Sequence, residues 1–332
     1  MSSNTLAQPA APTAPGLLAR LTSVPLAGVL TALVLIFGVS CLLSEHFLTA
    51  YNMTIMARTL AFVGLITIGQ SMLLLLGELD LSLGAIAGLC GVVGGILMVQ
   101  YGLDPWLSLA LCLALGLTCG AINGLLVTMV RLHSLVLTIG TAGIYGGANL
   151  VATKGVAITG IPSEISFLGK AAPYGLPVPF LIMVTILVIV SFVIFKTPFG
   201  RYIYAIGNNM AAARMLGIRT NAIRVCVFAL AGFLSALAGM LMVARLGTAQ
   251  PSIGEGWVLA PIAASVIGGV ATTGGIGSPI GAIFGAAIIG IIDNIIVLFG
   301  VSPYWQSVVS GTIVVLAISF DAISRRWLRR ED

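Results

Sequence analysis

The stretch KTPFGRYIYAIGNNMAAARMLGIRTNAIR, Lys196–Arg224, is the longest polar interruption in a chain that is otherwise almost wholly apolar. Working outward from it, the chain is 59% hydrophobic and only 8% charged, with a mean hydropathy of +1.14. So few polar side chains cannot cover the surface of a soluble protein of this length. The expected fold class is therefore an all-α polytopic membrane protein.

Charged residues divide the chain into windows, because an ionised side chain at the bilayer centre costs roughly 2.5–3.5 kcal/mol or more. Most windows match the roughly 20 residues that a spanning helix needs. The window 256–292 is too long for one span and is split at Gly274-Gly275. About ten transmembrane helices result, over 22–44, 53–76, 81–100, 106–129, 134–152, 177–195, 222–244, 257–272, 277–298 and 303–322. Three regions follow: a disordered Ala/Pro/Ser/Thr-rich tail at 1–21, a transmembrane domain at 22–324, and a basic tail at 325–332. The first apolar run is too long for a signal peptide and is expected to be retained as a helix.

Lys and Arg fix the orientation, since short basic loops resist translocation. Arg20, Arg131, Lys196, Arg201, Arg214, Arg219, Arg224, Arg325, Arg326, Arg329 and Arg330 fall on one side, and both termini are expected to be cytoplasmic. Lys154 and Lys170 fall outside, with Arg58 and Arg245 at outer borders. The net charge of +5 mostly expresses this bias and carries no nucleic-acid signal. Cys41, Cys90, Cys112, Cys119 and Cys226 lie in or beside helices without CxxC spacing and read as packing residues.

Glycines recur three and four apart in two spans, at Gly84, Gly88, Gly91, Gly94 and Gly95 and at Gly277, Gly281, Gly285 and Gly290. Such spacing lets helix backbones approach closely in lipid, so these helices are expected inside the bundle. Short echoes between 279–285 and 83–88, and between 290–293 and 120–123, suggest duplication but need different offsets. On the outer side, 153–176 and Gly247–Gly256 form loops that either dock an external partner or merely connect.

Within the polar stretch, Asn208 or Asn209 suits an N-cap, Met210–Leu216 a short helix and Gly217 its stop. A helix that short needs something to pack on: its own membrane domain or a cleft on a cytoplasmic protein. Glu78 and Asp80 sit at the start of the third span, either capping it or fixing a gate or partner-facing turn; a proton-coupling role is the weakest reading. Asn123, Asn149, Asp293 and Asn294, with Gln70, are polar inside spans, and either line a solute path or bond helices together. Tyr101, Trp106, Trp257, Tyr304 and Trp305 read as interfacial anchors. There is no metal-spaced or catalytic cluster, and no phosphate loop with which to hydrolyse ATP.

Thr197-Pro-Phe-Gly-Arg201, Ala205-Ile-Gly-Asn208, Ala212-Ala213 and Gly217-Ile218 together resemble the cytoplasmic coupling segment of ribose-type ABC importer permeases. Further matches are Gly77-Glu-Leu-Asp80-Leu-Ser82-Leu-Gly84, Ile262–Gly269 with Gly274-Gly275-Ile-Gly277-Ser278, and Gly300–Gln306 with Gly311. The resemblance covers roughly 25–325 and departs at Pro261, where an acidic or small residue is expected. It implies a type II importer-like permease moving a monosaccharide or similar polyhydroxylated solute through the bacterial cytoplasmic (inner) membrane. It also implies a second permease copy, a cytoplasmic ABC ATPase and a periplasmic or lipid-anchored sugar-binding protein. ATP and Mg would bind that ATPase, with no cofactor on this chain. Gly200, Arg201, Asn208, Asn209, Ala212, Ala213, Arg214, Gly217 and Ile218 become the expected coupling residues, and Glu78, Asp80, Ser82, Gly274 and Gly275 the gate or turn residues. The competing expectation is a self-sufficient proton-coupled transporter working through Glu78, Asp80 or Asp293.

Overall fold

The computed structural model describes residues 25–302 and, beyond them, 305, 306, 308, 309, 311, 312, 315, 316 and 319. The tails expected at 1–21 and 325–332, with Arg20, Arg325, Arg326, Arg329 and Arg330, and the anchor Tyr304, lie outside the described residues. In chain order the helices are α1 (Pro25–Leu43), α2 (Ala50–Leu75), α3 (Leu83–Val99), α4 (Pro105–Val130) and α5 (Ser134–Thr153). There follow β1 (Ile158–Thr159), α6 (Ser166–Lys170), α7 (Val178–Lys196), α8 (Pro198–Asn208), α9 (Met210–Met215) and α10 (Thr220–Leu246). The order closes with β2 (Thr248–Ala249), α11 (Ala260–Ile267) and α12 (Pro279–Leu298), and the described positions among 305–319 are helical where the last span was expected.

Among the described residues, seven helices (α1, α2, α4, α5, α7, α10 and α12) are long and apolar enough to cross a membrane. Helix α10 is central, packed most extensively on α4 and then on α2 and α3. Small residues permit this. A β-carbon at Gly120 of α4 would collide with the Phe228 carbonyl, and one at Gly116 would strike Ala236 and the Gly232 carbonyl. Gly239 lies equally close to the Ala87 carbonyl of α3. Without a hydrophobic drive between helices in lipid, such backbone proximity is the main source of association. Gly84, Gly88, Gly91, Gly94 and Gly95 all press on buried neighbours, as their spacing predicts.

The expected span 257–272 is not a span. Only Ala260–Ile267 is helical there, about 12 Å at the α-helical rise per residue. Its glycine-rich continuation turns back, with positive φ at Gly269, Gly274, Gly275 and Gly277, and Gly268 abuts the Gly281 carbonyl of α12. Pro261 occupies the first turn of this half-helix, where its missing N–H costs nothing. The chain between α2 and α3 is likewise non-helical.

The two loops expected on the outer side, 153–176 and Gly247–Gly256, are tied to each other. Strand β1 pairs with β2 through Ile158↔Ala249 and Thr159↔Thr248. Helix α6 wedges Gly169 against the Arg245 backbone of α10, Arg58 Nη2 donates to the Lys170 carbonyl at 3.1 Å, and the Arg245 guanidinium sits 5.5 Å over the Phe62 ring. Arg58, Lys154, Lys170 and Arg245, the four cations expected on the outer side, thus belong to one end of the bundle, where loop 153–176 is packed on α10 and paired with β2. Trp257, expected as an interfacial anchor, instead stacks on Phe62, whereas Tyr101 and Trp106 are exposed as anchors are. Cys90, Cys112 and Cys119 are buried packing residues; Cys226 is exposed.

Gly120→Leu should destabilise the purified chain by about 3 kcal/mol or abolish its recovery, because overpacking here strikes backbone and no flexible side chain can yield. Gly28→Ala, which meets open space, should leave the thermal midpoint unchanged.

Candidate functional site

Pro198 opens α8 at its first turn, and α8 and α9 are separated only by Asn209, which is extended at φ −158°. Asn209 Oδ1 accepts from the Ala212 N–H at 3.0 Å, the cap that the sequence offers at Asn208 or Asn209. Gly217, at φ +81°, ends the turn with open space around it. One face of α9 is seated through Ala213, and Ile218 N–H closes back on the Ala213 carbonyl at 3.1 Å. The other face projects: Met215 is 89% and Leu216 81% exposed, alongside Ala211, Ala212 and Arg214. Arg214 Nε donates to Thr220 Oγ1 at 2.9 Å, tying α9 to the start of α10.

Helix α8 connects this projecting turn to the bundle interior. At one end, Gly200 is pressed on the Ile194 backbone of α7, which leaves no room for a side chain. At the other, Gly207 abuts both the Leu75 carbonyl at the end of α2 and the Gly275 N–H. That N–H donates to the Leu75 carbonyl at 2.9 Å, and Tyr204 Oη donates to the Gly277 carbonyl at 2.8 Å. Burial raises the Tyr204 pKa above its ordinary value, so it remains a donor. Gly274 in turn faces Gly207 and Gly77. Three chain segments therefore meet at glycines where no β-carbon fits. Gly274 and Gly275 were expected at a turn, whereas Gly207 and Tyr204 were not singled out, although Pro198 after Thr197 is the sequence signal for an extra helix.

From Gly77 the chain runs inward unpaired with any strand. Its Leu79 and Leu81 N–H groups donate to Ser134 Oγ and Thr138 Oγ1 of α5, each at 3.1 Å. Such side-chain acceptors are what a helix break in hydrocarbon requires. Glu78 is not a helix cap: its Oε1 accepts from Arg224 Nη2 of α10, and both side chains are about one-tenth exposed. Asp80 does not cap α3 directly either. Its Oδ1 accepts from Ser82 N at 2.7 Å and Ser82 Oγ at 2.6 Å, and Asn123 Nδ2 reaches its Oδ2 at 3.2 Å. Asn123 also donates to Ser82 Oγ at 2.7 Å and accepts from Tyr145 Oη at 3.2 Å.

The four intramembrane pathway candidates separate. Asn123 is 0% exposed and used by that network; Asn149 Nδ2 donates to the Pro251 carbonyl at 2.8 Å while its Oδ1 is buried without a partner. Asn294 and Asn52 exchange reciprocal amide bonds at 2.8 and 3.0 Å. Asp293 also has a buried Oδ1 without a partner, and what sets it apart from Asn149 is that it lines a cavity of about 570 Å³ together with Thr59, Glu255, Trp257 and Gln306. Carboxylates, an amide and an indole around one space suit a hydroxyl-rich solute.

Comparison with known proteins agrees with this architecture. A family model described as "Branched-chain amino acid transport system / permease component" matches residues 52–318. The ribose import permease protein RbsC of Bacillus subtilis is 39% identical over 283 residues, 84% of this chain and 87% of its own. Autoinducer 2 import system permease proteins LsrC are also similar. That of Photorhabdus laumondii is 34% identical over 295 residues (88% of this chain, 87% of its own), and that of Escherichia coli O9:H4 33% over 301 (91% and 88%).

Removing one partner of the buried ion pair leaves an uncompensated charge, so Glu78→Ala should cost roughly 3–5 kcal/mol. The exchange Glu78→Arg with Arg224→Glu should recover part of it; thermal unfolding of the purified single and double variants checks both.

Proposed function

The chain belongs to the branched-chain amino acid transport system / permease component family, and on that footing we propose that it imports a monosaccharide or similar polyhydroxylated solute across the bacterial cytoplasmic membrane. It is a multi-pass permease subunit and not an enzyme. The relatives named for ribose and autoinducer 2 import support the solute class. The proposed assembly pairs this chain with a second permease copy, a cytoplasmic ABC ATPase that holds ATP and Mg, and a periplasmic or lipid-anchored binding protein. Both termini lie on the cytoplasmic side in this reading, and 22–324 acts as one membrane domain.

One observation carries the mechanism: the projecting turn α8–α9 is joined through Gly207, Gly275 and Tyr204 to the end of α2 and to the turn before α12. Met215, Leu216, Ala211, Ala212 and Arg214 offer the ATPase a small apolar face with one cation. Asn208, Asn209 and Gly217 shape that turn, Ala213 and Ile218 seat it, and Gly200 and Arg201 belong to the connecting α8. When the ATPase dimer closes, α9 moves; α8 passes the displacement to the 268–278 turn, which leads directly into α12 and Asp293. Access to the cavity at Asp293 then alternates. On the opposite side, the paired loops around β1 and β2 present Val156, Phe167 and Tyr174, exposed apolar side chains suited to the binding protein.

A proton-coupled carrier fits less well. Glu78 is committed to Arg224 and Asp80 to Ser82 and Asn123, which leaves Asp293 as the one of the three acids with an unpartnered oxygen at a cavity, and the family and its relatives are permease components of import systems.

Tyr204→Phe, which removes the hydrogen bond to the Gly277 carbonyl without a steric clash, should lower uptake by the assembled importer several-fold and loosen the link between its ATPase and substrate while the chain still inserts. Gly217→Ala, with open space but strained φ, should cost only about 1 kcal/mol and leave partial uptake. Full uptake in Tyr204→Phe vesicles overturns the coupling route.

A further inference from the structure

Beside α9 lies a second cavity, of about 650 Å³, between the end of α4 and the start of α10. Thr128, Arg131, Arg214, Asn221 and Arg224 line it. Its charge is unbalanced. Glu78, on Arg224, supplies the one ion pair among the described residues, leaving the guanidinium charges of Arg131 and Arg214 without a carboxylate. Arg214 touches only neutral atoms: Thr220 Oγ1, Met210 Sδ at 3.4 Å and Asn221 Oδ1 at 3.5 Å. Arg224 is 9% exposed, and its Nε has no hydrogen-bond partner. Asn221 belongs to the first turn of α10, so the positive end of that 27-residue helix also reaches the rim.

We propose that this cavity binds a phosphate group, bridging α4, α9 and α10. Guanidinium groups match phosphate through paired, charge-assisted donors, and a dianion or phosphodiester anion supplies the charge missing here. The flanks favour a lipid headgroup as its source. Met129 (76% exposed), Val130 and Leu132 stand exposed on either side of Arg131, an apolar collar around a cation as found where acyl chains meet headgroups. A bound phosphate would hold α9 to the bundle and set how freely the projecting turn moves. Binding itself does not require α9 to be the coupling element, so it can fail or succeed independently of the transport reading.

The test uses the full purified chain and native mass spectrometry with phosphatidylglycerol or phosphatidylcholine added at equal concentration, then with inorganic phosphate as competitor. Phosphatidylglycerol should be retained preferentially, and Arg131→Gln and Arg214→Gln should each lower that retention about tenfold, the loss expected for one charge-assisted hydrogen bond. Arg201→Gln, an exposed cation of α8 outside the cavity, should retain it. Displacement by millimolar inorganic phosphate would assign the site to phosphate from either source; resistance would assign it to the lipid headgroup. Equal retention of both lipids without any phosphate effect, or equal losses in all three variants, overturns the site. Arg131 is exposed at the end of α4, so its substitution leaves the fold intact, and Arg131→Lys should restore part of the binding.

Discussion

A chain that stops being helical while buried among packed helices must find partners for its own backbone. This protein does so twice, between α2 and α3 and between α11 and α12. In hydrocarbon each unpaired N–H or carbonyl costs several kcal/mol. Ser134 and Thr138 of α5 accept the N–H groups of Leu79 and Leu81, and the Leu75 carbonyl accepts the Gly275 N–H. The last of these joins one break to the other. Because Gly207 and Gly274 crowd around that bond with no space for a β-carbon, and Gly77, at φ +76°, lies tight against the Thr273 carbonyl, the two breaks and α8 share one position.

Polar side chains divide accordingly between holding the breaks and remaining available. Asp80, Ser82, Asn123 and Tyr145 satisfy one another around the first break, and Glu78 anchors it to α10 through Arg224. Asp293, one helix beyond the second break, keeps an oxygen without a partner and faces a cavity. An unpartnered carboxylate oxygen at a cavity is the feature on which the proposed transport path rests. The committed acids hold the surrounding helices together.

Much of this was legible in the chain. Charge-free windows located the long helices to within a few residues, since the cost of an ion in lipid acts residue by residue and needs no tertiary knowledge. The cap at Asn209 and the stop at Gly217 are local for the same reason. The half-helix at Ala260–Ile267 was not legible as such: its window is apolar enough for a full span, and only the contact of Gly268 with Gly281 shows why the chain turns back. Glu78 and Arg224 stand 146 positions apart, and nothing local marks either as the other's partner. Asn123 and Asn149 looked like Asp293 in sequence, because all are single polar residues in apolar runs. What separates them is the tertiary surroundings: Asn123 is enclosed in a hydrogen-bonded network, Asn149 is tied to the Pro251 carbonyl, and Asp293 borders a cavity.

The central claim is that α8–α9 and the 268–278 turn move as one body. Spin labels at Ala211 and Ile276, both exposed, measured by pulsed electron resonance in the assembled transporter, test it most directly. Through the ATP cycle the distance between Ala211 and Ile276 should stay constant, while the distance from each to a label at Lys154 on the opposite side changes. An Ala211–Ile276 distance that changes while Ile276–Lys154 stays fixed would contradict the account.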